Sequence, residues 1–356
     1  MVYIHVPFCK SFCTYCDFYS EIACRGRDGE AFETYTDGIC SEIEARRDEI
    51  AAAQSPKTIY IGGGTPSVLP LSCLRRIIET LNAGDIEEFT VEVNPEDIIE
   101  KGPDYVRGLL SLGVNRISMG VQSLDDGILR WMNRRHDSEG AGEAFTILRG
   151  AGVDNISLDV IFGLSQLSDD TLCETLDGII RLTPEHLSAY QLSVEEGSAL
   201  AKLTRRGEYE EASDELCRGQ YEMICRRLTA AGYEHYEVSN WARPGYRAKH
   251  NSAYWTRRPY VGLGPGAHSF DGSERSRNSE TTANWTSEKE TLDEEDERTE
   301  KIMLGLRTAE GVEASICNPE SLARFLFEGS VIKKGKRIRI PEDHLFVSDD
   351  IIRALL

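Results

Sequence analysis

Val2-Tyr3-Ile4-His5-Val6-Pro7-Phe8-Cys9 opens the sequence, and Lys10-Ser11-Phe12-Cys13-Thr14-Tyr15-Cys16 follows without a break. The first run is rich in β-branched and aromatic residues and reads as a strand. Three cysteines then fall in the order Cys9-x3-Cys13-x2-Cys16. Further strand-like runs lie at Thr58 to Ile61, Phe89 to Val93, Arg116 to Val121, Ile156 to Phe162 and His186 to Leu192. Several alternate polar with apolar residues, as in Thr90-Val91-Glu92-Val93, the period of a half-buried strand.

Helical stretches fill the gaps: Phe32 to Ala53, Leu71 to Leu81, Pro103 to Leu112, Glu139 to Gly150 and Asp169 to Leu182. Pro103 suits a first helical turn, and Gly113 and Gly152 read as C-terminal stops. Six strand–helix units predict an α/β fold with a parallel sheet and right-handed crossovers. Six are too few for a complete eight-stranded barrel, which leaves an open, partial barrel or a doubly wound sheet. Either form places chemistry at the C-terminal ends of the strands.

Beyond about residue 200 the pattern changes. Glu208 to Ala231 reads as one long charged helix. Residues 233 to 270, rich in Gly, Pro, aromatics and His, read as irregular loops. Residues 271 to 297 are polar and acidic, and the five acids Asp293 to Glu297 read as a solvated linker or a helix start. A helix from Arg298, another near Ser315 to Phe327 and a hairpin over Val331 to Ile340 suggest a small winged-helix-like α+β unit. The expected organisation is thus 1–200, a connecting region 201–297, and a small domain 298–356.

The chain has 356 residues, with 40 Lys and Arg against 60 Asp and Glu, a net charge of −20. That balance opposes broad nucleic-acid binding, which needs a basic face. Lys333, Lys334, Lys336, Arg337 and Arg339 form a local basic patch, better suited to an acidic partner, a propionate or the chain's own acidic surface. No apolar run approaches the roughly 18–20 residues that span a bilayer, so only peripheral membrane contact is left open. No basic segment followed by an apolar stretch marks an export signal, so a cytoplasmic place is expected. In a reducing compartment, clustered thiols point to metal or redox chemistry before structural disulfides.

Cys9, Cys13 and Cys16 can hold three corners of a cubane iron–sulfur cluster and leave one iron open. The residues alone leave other readings: a Cys13–Cys16 thiol–disulfide pair, a zinc site completed by His5 or Cys24, or three unconnected thiols. Gly62-Gly63-Gly64 ends the second strand and suits close backbone approach to a ligand, or a plain turn. Glu92, Gln122 and Asp159 lie at or near the ends of the next strands, where polar side chains point into a site.

The motif Tyr3-x-His5-x-Pro7-Phe8-Cys9-x3-Cys13-x-Tyr15-Cys16-Asp17-Phe18 resembles the start of the radical S-adenosylmethionine (SAM) proteins. It is similar to the subgroup of oxygen-independent coproporphyrinogen III oxidase and the HemW-type haem chaperones. The likeness extends through Gly62 to Ser67, Val91 to Pro95, Gly113 to Ser118, Gly120 to Ser123, Leu158-Asp159, Gly163-Leu164 and His250-Asn251-x2-Tyr254-Trp255. It implies a partial (β/α)6 barrel, a 4Fe-4S cluster on the three cysteines, and SAM held by Tyr3, Gly63, Gly64, Thr65, Glu92, Gln122, Arg134 and Asp159. Arg134 would reach the SAM carboxylate, with Arg135 an adjacent competitor. The chemistry implied is reductive cleavage of SAM to methionine and a 5′-deoxyadenosyl radical, fed by a reduced donor such as flavodoxin or ferredoxin.

Two departures favour the chaperone branch. The oxidase carries a fourth cysteine two residues beyond the third, where this sequence has Phe18, and a long extension before its first strand. The resemblance therefore implies a protein that binds haem and passes it to an acceptor. A radical oxidative decarboxylation of the porphyrinogen is the alternative. His250 is implicated in haem handling, as an axial ligand or as a packing histidine, and His268 is a weaker candidate. Tyr254 and Trp255 could stack on a porphyrin or plug a core edge. His186, His235 and His344 read as structural or surface residues.

Overall fold

The computed structural model describes residues 1–23 and 28–356. Six strands follow the expected runs: β1 (Val2–Val6), β2 (Thr58–Gly63), β3 (Glu88–Val93), β4 (Arg116–Gln122), β5 (Ile156–Phe162) and β6 (His186–Gln191). They pair in parallel in that order. Alternation decides which way each residue faces. Ile59, Ile61, Val91, Ile117, Met119, Leu158, Val160 and Leu187 are buried under the helices. Tyr60, Glu92, Arg116, Ser118, Asp159, Ser188 and Tyr190, on the opposite face, line a central cavity. The sheet is a partial barrel with an apolar outside and a polar lumen.

The covering helices present apolar stripes to it, such as Leu74, Ile77 and Leu81 of Leu71–Leu81, or Leu172, Leu176 and Ile179 of Asp169–Leu182. Each such side chain contributes about 1.5–3 kcal/mol on burial. Asp137, Ser168 and Ser213 cap three helices by accepting backbone N–H bonds. Gly113 and Gly152 end helices at φ +92° and +100°, as expected. Helix boundaries differ elsewhere. The stretch expected at Phe32 to Ala53 is two helices, Asp28–Ala45 and Arg47–Ala52. Pro103 opens the second half of a longer helix, Pro95–Ser111, kinked at Gly102. Glu208 to Ala231 resolves into Asp214–Ala230, preceded by Ala199–Arg205.

Residues 233–270 are more regular than expected. β8 (Asn240–Ala242) pairs antiparallel with β6, β7 (Glu234–Glu237) pairs antiparallel with β8 at the sheet edge, and β9 (Val261–Leu263) pairs in parallel with the free side of β1. Strands of three or four residues between glycines and prolines offer no period to read. The acidic stretch is likewise no bare linker. His268–Phe270, Glu274–Asn278 and Ser287–Thr291 form an antiparallel sheet. All five residues of Ser287–Thr291 are exposed, so no alternation marks it. Asp293 forms a capping box with Asp296, and four acids occupy the first turn of Glu294–Gly305, where the helix dipole favours them.

The C-terminal unit has the α+β make-up expected, with Val312–Glu313, Ile332–Lys334 and Arg337–Arg339 in one antiparallel sheet and helices Pro319–Glu328 and Ser348–Leu355. Val238 N donates to Arg307 O at 2.9 Å and Ala309 N to Tyr236 O at 3.0 Å, tying it to β7 and the turn after it. Among the described residues no helix is long and apolar enough to cross a membrane.

Candidate functional site

The cysteine loop leaves β1 at the mouth of the lumen and is pinned by backbone bonds. Ala23 N donates to Cys9 O at 2.9 Å, Thr14 N to Met132 O at 3.1 Å, and Leu200 N to Thr14 O at 2.7 Å. Asn133 Nδ2 donates to Phe12 O at 2.6 Å. Cys9, Cys13 and Cys16 are free, partly exposed thiols lining the cavity. Burial pushes the Cys16 thiol up to about 12 and raises that of Cys9. A cation stands beside them: Arg134 Nη1 lies 3.4 Å from Cys13 Sγ.

This donor set fits a cluster better than a single ion. Among the described residues, the one trio of potential ligands closing to within 4.8 Å of one another lies elsewhere, so these three sulfurs are spread wider than a mononuclear site needs. His5 does not complete a zinc site. Its Nε2 donates to Tyr19 O at 2.8 Å, which leaves Nδ1 to accept from Tyr3 Oη at 3.0 Å. Cys24 lies outside the described residues. Gly64 makes a cradle: a Cβ there would sit 2.8 Å from Phe8 O and 3.0 Å from Cys9 Sγ.

Below the loop is a cavity of about 880 Å³. Gly63, Gly64, Thr65, Glu92, Gln122, Arg134 and Asp159 all line it. Tyr3 does not; it stands behind His5, its ring 6.2 Å from that of Tyr60. Glu92 accepts from Tyr60 Oη at 2.6 Å and from Gly63 N at 3.3 Å. Burial raises its carboxyl to about 7 and that of Asp159 to about 6. Thr65 Oγ1 is 3.5 Å from Cys9 Sγ. Gln122 has a left-handed backbone (φ +67°) at a break in the β4–β5 register, which turns it into the cavity.

Arg134 is separated from its competitor. Its Nη2 donates to Asn94 Oδ1 at 2.6 Å and Gly120 O at 2.7 Å, while its buried Nε has no partner. Arg135 Nη1 instead lies 3.9 Å from Glu96. The sequence reading missed Asn94, Tyr60, Arg116, Ser118 and Asn251. Arg116 is 1% exposed with an unpaired Nε, and shares its face with Ser118. The inward parity of β4 signals both; Asn94 and Asn251 lie in motifs that carry the resemblance, but no local pattern assigns them to the cavity.

His250 does not line the cavity. It is fully buried in helix Lys249–Trp255, away from the cavity lining. Thr58 Oγ1 is 2.8 Å from Nδ1 and Tyr254 Oη 2.9 Å from Nε2, so both ring nitrogens are taken. Glu88 accepts from the backbone N–H groups of Lys249 and His250 at 2.8 and 2.9 Å, capping this helix. Thr58 and Glu88 begin their strands, so His250 closes the barrel floor, opposite the cysteine loop. Of the two readings of His250, these contacts are those of a packing histidine. Tyr254 packs edge-on against Tyr260 in the same floor. His268 is exposed on the smaller sheet and does not line the cavity. His186 is buried between Ser157 and Tyr236, and His344 is on the surface beside Asp343.

The Radical SAM superfamily model matches residues 3–179. The chain is 32% identical to "Heme chaperone HemW" of Mycobacterium tuberculosis, over 100% of this chain and 94% of that one. It is 35% identical to the Escherichia coli K12 protein of the same name, over 75% and 69%. Among solved structures, coproporphyrinogen III oxidase (HemN) from E. coli aligns with TM-score 0.81, covering 99% of this chain and 89% of that chain, at 20% identity, a likeness of fold. Superfamily membership implies a 4Fe-4S cluster and SAM. The chain belongs to the radical SAM superfamily and, within it, to the family of the HemW heme chaperones.

Proposed function

We propose that this chain is a haem chaperone, binding haem and delivering it to an acceptor protein. The observation that carries this is the end-to-end match to the HemW chaperones, against a likeness of fold alone to the oxidase. Phe18, 66% exposed at the cavity mouth, stands where the oxidase has its fourth cysteine.

In this reading Cys9, Cys13 and Cys16 hold the cluster and Arg134 keeps a positive charge beside Cys13. When bound, cluster and SAM supply one-electron chemistry that no side chain can. Gly63 and Gly64 let the backbone close on the amino-acid end of SAM. The unspent Nε of Arg134 suits its carboxylate. Glu92, Asp159 and Gln122, which line the cavity, would also hold SAM, and Tyr3 would act through His5 as a positioning residue. His250 belongs to the barrel floor and not to the haem iron. We place the protein in the cytoplasm, with a flavodoxin or ferredoxin as electron donor and no nucleic-acid partner.

The test is anaerobic. Full-length protein with reconstituted cluster is titrated with haem and mixed with apomyoglobin as a probe acceptor, and in parallel incubated with coproporphyrinogen, SAM and reductant. Haem uptake and transfer without porphyrinogen turnover is the expected result. Conversion to protoporphyrinogen, or no haem uptake, would overturn the proposal.

A further inference from the structure

Far from the cysteine loop, three side chains from three separate elements meet where the C-terminal unit abuts the barrel. Cys225 comes from helix Asp214–Ala230, His235 from β7, and Glu342 from the turn Glu342–Val347. Their ligand atoms all lie within 4.8 Å of one another. His235 Nδ1 is 3.0 Å from Glu342 Oε1 and 4.0 Å from Cys225 Sγ. Cys225 is 7% exposed and the His235 side chain 6%, while that of Glu342 is 45% exposed.

We propose that Cys225, His235 and Glu342 bind a divalent, borderline-soft metal ion, zinc by its chemistry, which fastens the C-terminal unit to the barrel. Thiolate and carboxylate bring two negative charges and the neutral imidazole none, so the set balances a dication. Cys, His and carboxylate are the three side-chain ligand types zinc takes. Zinc bond lengths place tetrahedral ligand atoms about 3.4 Å (N to O) and 3.6 Å (S to N) apart. The distances here bracket those values, so shifts well under 1 Å seat the ion. The imidazole is aimed in advance. It stacks on Trp241 with ring centroids 4.2 Å apart and planes at 11°, and Nδ1 is the ring nitrogen that faces Glu342 and Cys225. The half-exposed Glu342 gives the ion a way in and leaves the fourth position to solvent. None of the three residues lines the central cavity, so the site stands apart from the cluster.

The test uses the full chain with its cluster reconstituted, so that Cys9, Cys13 and Cys16 are occupied. Zinc is added, free metal is removed, and zinc and iron are measured by atomic emission. One zinc per chain is expected in the parent. Cys225→Ser and Glu342→Gln should weaken zinc binding by roughly tenfold or more with iron unchanged. A second readout uses cobalt(II) in a full-length chain with the three cluster cysteines replaced by serine. A thiolate-to-cobalt charge-transfer band should appear there and vanish when Cys225→Ser is added. Glu342→Gln lies at a half-exposed position, so it separates lost binding from lost folding. Zinc uptake that is absent in the parent, or the same in parent and both variants, would overturn the proposal.

Discussion

Replacing His250 with glutamine tests whether the ring is part of the barrel floor. Burial lowers its pKa from 6.5 to about 3. Below 6.5 the unfolded chain therefore takes up a proton that the folded ring refuses. Stability contributed by the neutral ring is fully present above 6.5 and is lost as pH falls towards 3. Each pH unit in that window costs about 1.4 kcal/mol, so at about pH 5 the loss is about 2 kcal/mol. At pH 8 His250→Gln should cost about 1–3 kcal/mol, because a buried hydroxyl of Thr58 or Tyr254 loses its partner. At about pH 5 the variant should close much of that gap, since it has no such proton to take up. His186, also buried and held well below its ordinary value, acts equally in both proteins. The assay is urea unfolding at several pH values, with haem titration of each folded protein. Equal acid sensitivity in the two proteins would refute the argument. So would loss of haem binding with stability unchanged, which would return the ring to the haem.

Three further outcomes follow from the cavity. Cys13→Ala should abolish stable cluster incorporation, read as iron and sulfide per chain; a full SAM-competent cluster in this variant would undo the ligand assignment. Gly64→Ala puts a methyl against Phe8 O, which is backbone and cannot swing away, so SAM affinity measured by calorimetry should fall at least tenfold. Glu92→Gln should weaken SAM binding more at pH 8 than at pH 6, because the native carboxyl, at about 7, is ionised only at the higher pH. A penalty equal at both values would place Glu92 away from the ligand.

The six barrel strands were legible because their two faces have opposite chemistry: Ile59, Val91, Ile117 and Leu158 outside, Tyr60, Glu92, Ser118 and Asp159 within. The cysteine loop was legible because its three residues are local. Legibility failed where a contact depends on register between distant segments. Nothing near Asn94 announces that it will hold the Arg134 guanidinium. β9 is three residues long between Pro259 and Gly264, too short to show a period. His250 stayed open because histidine beside aromatics suits both a haem ligand and a floor plug, and its contacts to Thr58 and Tyr254 depend on segments the local sequence does not show.

The placement of β9 bears on how the cluster is acquired during synthesis. β1, which carries the cysteine loop, leaves the ribosome before both of its flanking neighbours, β2 and β9, which arrive in instalments. Until Val261–Leu263 has emerged, β1 is an open edge and its thiols hang from an unfinished wall. Iron loading therefore belongs after β9 has been made. A nascent chain halted before β9 should be a poor cluster acceptor even though every cysteine ligand is already present.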